Sequence, residues 1–129
     1  MTTFKSFEDI NVWKKARILA KIVFNVVSQS EFRMDYSLKN QMLKSSGSIM
    51  DNIAEGQARG GDNEFKQFLW IAKGSTAELR SQLYRCHDRQ FIDQNTFEDL
   101  SSKSKEIEKM IVGLINHIKK SEIAGLKFK

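Results

Sequence analysis

Proline is absent from all 129 residues, and the chain has only seven glycines and one cysteine. Without proline nothing removes a backbone N–H or forces a kink inside a helix, and Lys, Glu, Leu, Ile and Ala are abundant. An all-α chain is expected. A lone thiol, Cys86, cannot close an internal disulfide, which suits a reducing cytosol. No apolar run is long enough to cross a bilayer, and the opening Met1-Thr2-Thr3-Phe4-Lys5 lacks a signal-peptide core. A cytoplasmic protein without membrane contact is the expectation. Charge is not extreme either: 21 Lys and Arg against 16 Asp and Glu leave +5. That balance permits attraction to nucleic acid or to an acidic partner and requires neither. The length suits one domain over residues 1–129, large enough to bury a core.

What is present is helical periodicity. Val12, Ala16, Leu19, Val23 and Val27 recur at three- and four-residue steps, with Trp13 and Ala20 alongside. Leu38, Met42, Ile49 and Ile53 follow. A third stripe reads Phe65, Phe68, Ala72, Thr76, Leu79, Leu83 and Cys86, and a fourth Phe97, Leu100, Ile107, Ile111, Leu114 and Ile118. Helices are predicted at about 11–29, 37–58, 62–90 and 94–121. Asp9 or Asn11 is expected to cap the first, Asp62 the third, and the Asp93–Thr96 turn the fourth, while Gly60-Gly61 ends the second. Short connections favour an antiparallel, up-down four-helix bundle. Phe4 and Phe7 are expected to pin the N-terminal arm to it, and the tail from Ser121, with Gly125, to fray.

The second helix carries polar residues close to its apolar seam. Gln41, Ser45, Ser48, Asn52, Glu55 and Arg59 recur at steps of four and three, so some must meet a buried contact. A buried Glu55 would need a charged or hydrogen-bonding partner, and Arg59 one turn along is the local candidate. Gly47 and Gly74 each cost roughly 1 kcal/mol of helix propensity, which close helix approach would offset. Two readings stay open for this stripe: packing and register, or a functional polar pocket.

These residues also resemble a family. Phe7-Glu8-Asp9-Ile10 with Val12-Trp13-Lys14-Lys15-Ala16 resembles its opening motif. Gln41-Met42, Ser48-Ile49, Asn52-Ile53-Ala54-Glu55-Gly56 and Arg59 resemble its centre; Phe65, Phe68-Leu69, Ile71-Ala72, Gly74-Ser75 and Glu78-Leu79 resemble its third helix. The family is that of bacterial four-helix-bundle proteins encoded in intervening sequences of 23S ribosomal RNA genes. It includes the accessory variability determinant of diversity-generating retroelements. The chain departs from it at Glu31–Asp35, which lacks the usual proline, at Ser37 in place of glycine, and at Ser45, Ser46 and Gly47 in place of larger apolar residues. The resemblance implies a homopentamer around a central channel. For the retroelement member it implies a basic surface that contacts RNA and a reverse transcriptase. No enzymatic activity and no cofactor come with it, so Asn52, Glu55, Gly56, Arg59, Gly74 and Glu78 carry over as structural positions.

Basic residues are patterned as well. On the third helix Lys66, Lys73 and Arg80 recur every seven residues, with His87 next and Trp70, Ala77 and Tyr84 between them, on a flank away from the core. Lys14, Arg17 and Lys21 line a face of the first. Cations interleaved with aromatics can neutralise phosphates and stack bases. The alternative is a solvated flank with Trp70 and Tyr84 packed on a neighbouring subunit. Adjacent residues of Cys86-His87-Asp88 diverge on a helix and do not suit a zinc site, and no P-loop is present. Glu55 and Glu78 alone do not furnish a nuclease centre. The expectation is a non-enzymatic oligomer that binds nucleic acid, RNA first, as an accessory to a ribonucleoprotein or reverse transcriptase. An interaction scaffold is the alternative, and a nuclease or other hydrolase the least favoured.

Overall fold

Each stripe becomes the buried side of a helix in the computed structural model, which describes residues 4–127 and, for side chains, 4–125. The helices are α1 (Asn11–Val27), α2 (Tyr36–Ala58), α3 (Asp62–Asp88) and α4 (Gln94–Lys127), with 3-10 turns at Phe7–Asp9 and Ser30–Met34. All five predicted α1 positions and all four on α2 are buried. On α3 the seam is set slightly differently: Leu69 is buried and Phe68 only half-buried. On α4 Ile115 is buried, while Leu114 and Phe97 pack partly exposed against the core.

Side-chain pairs fix the packing. Along α2 and α3, Asp35 meets Arg89, Gln41 meets Arg85, Ser45 meets Gln82 and Ser48 meets Ser75. One partner number rises as the other falls, so the two helices run antiparallel. Lys66 with Glu122 and Arg80 with Glu108 give α3 and α4 the same relation. The result is a four-helix bundle.

The helix ends refine the reading. Ile10, not Asp9 or Asn11, holds the cap position of α1, in extended conformation and with no side-chain cap bond. Its side chain is 2% exposed, so burying the isoleucine takes precedence over capping. Gly61 precedes α3, which makes Asp62 its first helical residue; with Glu64 it places negative charge at the positive end of the dipole. Asp93 caps as expected, accepting from the Thr96 N–H at 2.8 Å, and Asp35 does the same for Leu38 at 2.9 Å. Gly60 ends α2 with φ +83°, a conformation other residues adopt at a cost. At the end of α3, Gln90 takes that role with φ 62°: its N–H reaches the His87 carbonyl and the Phe91 N–H reaches the Cys86 carbonyl. Phe91 then packs at a tilt against the buried Phe32, ring centres 5.2 Å apart. Helix α4 does not fray at Ser121; it continues to Lys127. The N-terminal arm is held, with Phe4 and Phe7 packed on the core and the Phe4 carbonyl accepting from Gln57 at 3.2 Å.

Close approach occurs at neither of the two glycines for which it was expected. A Cβ added at Gly47 or Gly74 would meet nothing within 4 Å, whereas one at Gly56 would lie 2.7 Å from the Phe68 Cβ. The Phe68 Cβ is anchored to its own backbone and cannot swing away. Gly56→Leu is therefore expected to destabilise by about 3 kcal/mol through overpacking, despite better helix propensity. Gly74→Ala should instead stabilise by up to about 1 kcal/mol. Urea melts of the two variants check this; equal shifts would refute the assignment.

Candidate nucleic-acid interface

The polar residues of α2 are held by hydrogen bonds within the bundle. Ser45 Oγ donates to Gln82 Oε1 at 2.7 Å, and Ser46 Oγ to the Met42 carbonyl at 2.8 Å, both buried. The smaller residues that replace apolar ones here thus pack with their hydroxyls satisfied. Asn52 Nδ2 donates to Ser48 Oγ at 2.8 Å, and Ser75 Oγ joins the same hydroxyl from α3 at 3.1 Å. Among the described residues no buried side-chain nitrogen or oxygen lacks a partner. A satisfied polar seam fixes the register of two helices. Glu55 does pair with Arg59, at 2.9 Å, but both are about half exposed, so Glu55 is not the buried carboxylate considered above. The Arg59 guanidinium also lies 5.1 Å from the Phe68 ring centre. Glu78 and Gly74 are exposed on the outside of α3.

The α3 cations do not stand on a free flank. Lys66 Nζ donates to Glu122 Oε2 and Arg80 Nη2 to Glu108 Oε1, each at 2.8 Å, and both cations are only 18% exposed. Arg80 also donates to Ser104, whose hydroxyl in turn donates to the Thr76 carbonyl at 3.0 Å. The Arg80 hydrogen bond holds the Glu108 carboxyl below its usual range, outweighing the opposing effect of burial. These two cations are internal ties between α3 and α4. His87, next in the stripe, stacks on Phe97 with ring centres 5.0 Å apart. Lys73 makes no direct ion pair among the described residues; it is half-buried, its ammonium lies 5.5 Å from the Trp70 ring centre, and its charge helps hold the Glu108 carboxyl down.

Arg80→Glu should therefore cost roughly 1.5–3 kcal/mol of stability, because it sets two carboxylates against each other in a half-buried seam. The Glu108 contribution in the unmodified chain is complete above the ordinary carboxylate pKa of 4.5 and is lost as pH falls through its lower folded value. Denaturant melts near neutrality should thus separate the two proteins, and melts at strongly acid pH should bring them together. Equal stability near neutrality would refute the tie.

Helix α1 is different. Lys14, Arg17 and Lys21 are all exposed, and none has an ion-pair partner among the described residues. Arg17 lies 5.9 Å from the Trp13 ring centre, and Trp13 is itself braced edge-on by Phe7 at 4.9 Å. These residues and Ile18 line a shallow groove of about 300 Å³. An aromatic wall beside three open cations can contact a phosphodiester backbone and a base. A further cation went unread in the sequence: Lys119 of α4 reaches the Trp70 ring, 5.6 Å from its centre. Only the pairing of α3 with α4 brings it there.

Other chemistry lacks geometry. Cys86 is buried with its sulfur 3.1 Å from that of Met42, and burial pushes its thiol up to about 12. It is a core residue, while Asp88 points to solvent. Among the described residues no three His, Cys, Asp or Glu side chains gather as metal ligands would, and no helix is long and apolar enough to cross a membrane.

The family model for the 23S rRNA-intervening sequence protein matches residues 8–113. The chain is also similar to a solved structure, a protein of unknown function from the S23 ribosomal protein family of Bacteroides thetaiotaomicron. The TM-score is 0.74 at 22% identity, over 81% of this chain and 97% of that one. No curated protein matches. At that identity the likeness concerns the fold, and neither description names an enzymatic activity.

Proposed function

Because the chain belongs to the 23S rRNA-intervening sequence protein family, we propose that it is a non-enzymatic, oligomeric bundle that binds RNA. The observation that carries this reading is the α1 face: Lys14, Arg17 and Lys21 exposed and without carboxylate partners beside Trp13. The family's association with 23S ribosomal RNA sequences supports RNA over DNA. Residues Lys66 and Arg80, spent on α4 carboxylates, contribute little; Lys73 remains available. We place the protein in the cytoplasm, as an accessory to a ribonucleoprotein or a reverse transcriptase.

Three open cations on one subunit give modest affinity. A symmetric assembly, five copies on the family resemblance, repeats the α1 face and multiplies the phosphate contacts. Binding and assembly are then coupled.

The test is single-stranded RNA binding as a function of salt, with subunit number followed by light scattering. The unmodified protein should bind with an affinity that falls steeply as salt rises. The combined change Lys14→Glu, Arg17→Glu and Lys21→Glu should weaken binding about a hundredfold or more at low salt. Helical signal and mass should not change, because these side chains make no ion pair or hydrogen bond with the described residues of the bundle and Arg17 only overlies Trp13 from outside. No binding by the unmodified chain would overturn the reading in favour of a protein scaffold, and a monomer across a hundredfold dilution would remove the assembly. Reversing Lys66, Lys73 and Arg80 is an unsuitable test, since it would break the α3–α4 ties.

A further inference from the structure

Trp70 stands out among the exposed apolar residues because of its company. Its indole is 46% exposed on the outer face of α3, and two ammonium groups flank it, Lys73 from its own helix and Lys119 from α4. Neither lysine has an ion-pair partner among the described residues, whereas the cations on either side along α3 do. The carboxylates of this seam pair directly with Lys66 and Arg80, and Lys73 acts on Glu108 only through space, so positive charge predominates where the aromatic ring is open. Fourteen residues on, Tyr84 is 59% exposed on the same side of α3, its ring set edge-on against Phe97.

We infer that Trp70, Lys73 and Lys119 form a single-stranded nucleotide subsite, in which a base lies on the indole and the adjoining phosphates sit between the two ammonium groups. The inference rests on the RNA-binding reading and gives it a second contact region, on the α3–α4 side rather than on α1. A second copy of the chain is the competing occupant of this face. Covering Trp70 with an apolar subunit surface would strip water from two unpaired ammonium groups and return no counter-charge, a costly exchange. A nucleic acid strand supplies a flat π-surface and an anion together.

The experiment uses the full chain with oligouridine and with an abasic ribose-phosphate oligomer of the same length. Trp70→Ala should bind oligouridine about tenfold more weakly and the abasic oligomer no differently, as expected when only stacking is lost. Trp70→Phe should recover most of the affinity. Lys73→Gln and Lys119→Gln should each lower the slope of log affinity against log salt by about 0.7, the mark of one lost phosphate contact on a single strand. An oligomer carrying photoreactive uridine should crosslink to Trp70. If Trp70→Ala leaves the affinity for oligouridine unchanged, Lys119→Gln leaves the salt slope unchanged and the crosslink falls away from Trp70 while the unmodified chain binds, this subsite is overturned and the α1 reading stands. If the unmodified chain does not bind at low salt, both fall together. Shielding of Trp70 from iodide in the RNA-free protein would also overturn the subsite and assign the face to a second copy.

Discussion

Phe32→Ala is expected to lower the free energy of unfolding by about 3–5 kcal/mol, the range for deleting a buried phenyl ring. Phe32 is fully buried although it sits in the connection between α1 and α2, in the 3-10 turn Ser30–Met34. Its ring meets Phe91, which lies in the connection between α3 and α4. The cavity left by the truncation cannot collapse readily, because its walls belong to two separate connections whose paths are fixed by capped helix ends. The measurement is a urea melt followed by far-ultraviolet circular dichroism. A loss under about 1 kcal/mol would mean that the turn is a loosely attached loop, as exposed connections usually are.

Leu79→Ala is expected to cost about 2–5 kcal/mol. Leu79 is fully buried on the core side of α3, the helix that packs against both α2 and α4. Alanine there keeps helix propensity, so the loss reports packing alone. The same melts check it, and a change under half a kcal/mol would place the side chain at the surface. With Phe32→Ala the two probes sample the middle and one end of the core. Their effects should add in the double variant if they share no neighbours.

The bundle was legible because its signal is redundant: a stripe repeated over several turns survives an error at any one position. Val12 through Val27 and Leu38 through Ile53 are buried as the three- and four-residue steps require. Where two adjacent apolar residues compete for one seam, periodicity cannot choose, so Leu69 and Ile115 were passed over for Phe68 and Leu114. The cap of α1 was misread because capping propensity is worth about 1 kcal/mol, less than burying an isoleucine. Glycine spacing pointed to close approach at Gly47 and Gly74, yet the tight contact is at Gly56, set by where Phe68 of another helix falls.

The candidate site was less legible than the fold. Charge spacing on α3 placed Lys66, Lys73 and Arg80 on one flank, but it could not reveal that α4 brings Glu122 and Glu108 against two of them. For the same reason Lys119, nearly fifty residues from Trp70 in sequence, had no signal to announce it. Local periodicity says which side of a helix a cation occupies. Only the partner helix says whether its charge remains available.

The aromatic pair at the bundle's far end has a consequence for how the molecule opens. Phe32 and Phe91 join the corner between α1 and α2 to the corner between α3 and α4, so neither corner can lift without parting the rings. Those two stretches, far apart in sequence, are therefore expected to open as one cooperative unit, with matched amide hydrogen-exchange rates. At that end the chain is clasped shut in the manner of a buckle. At the opposite end, where α2 meets α3, the reversal rests instead on Gly60 and Gly61.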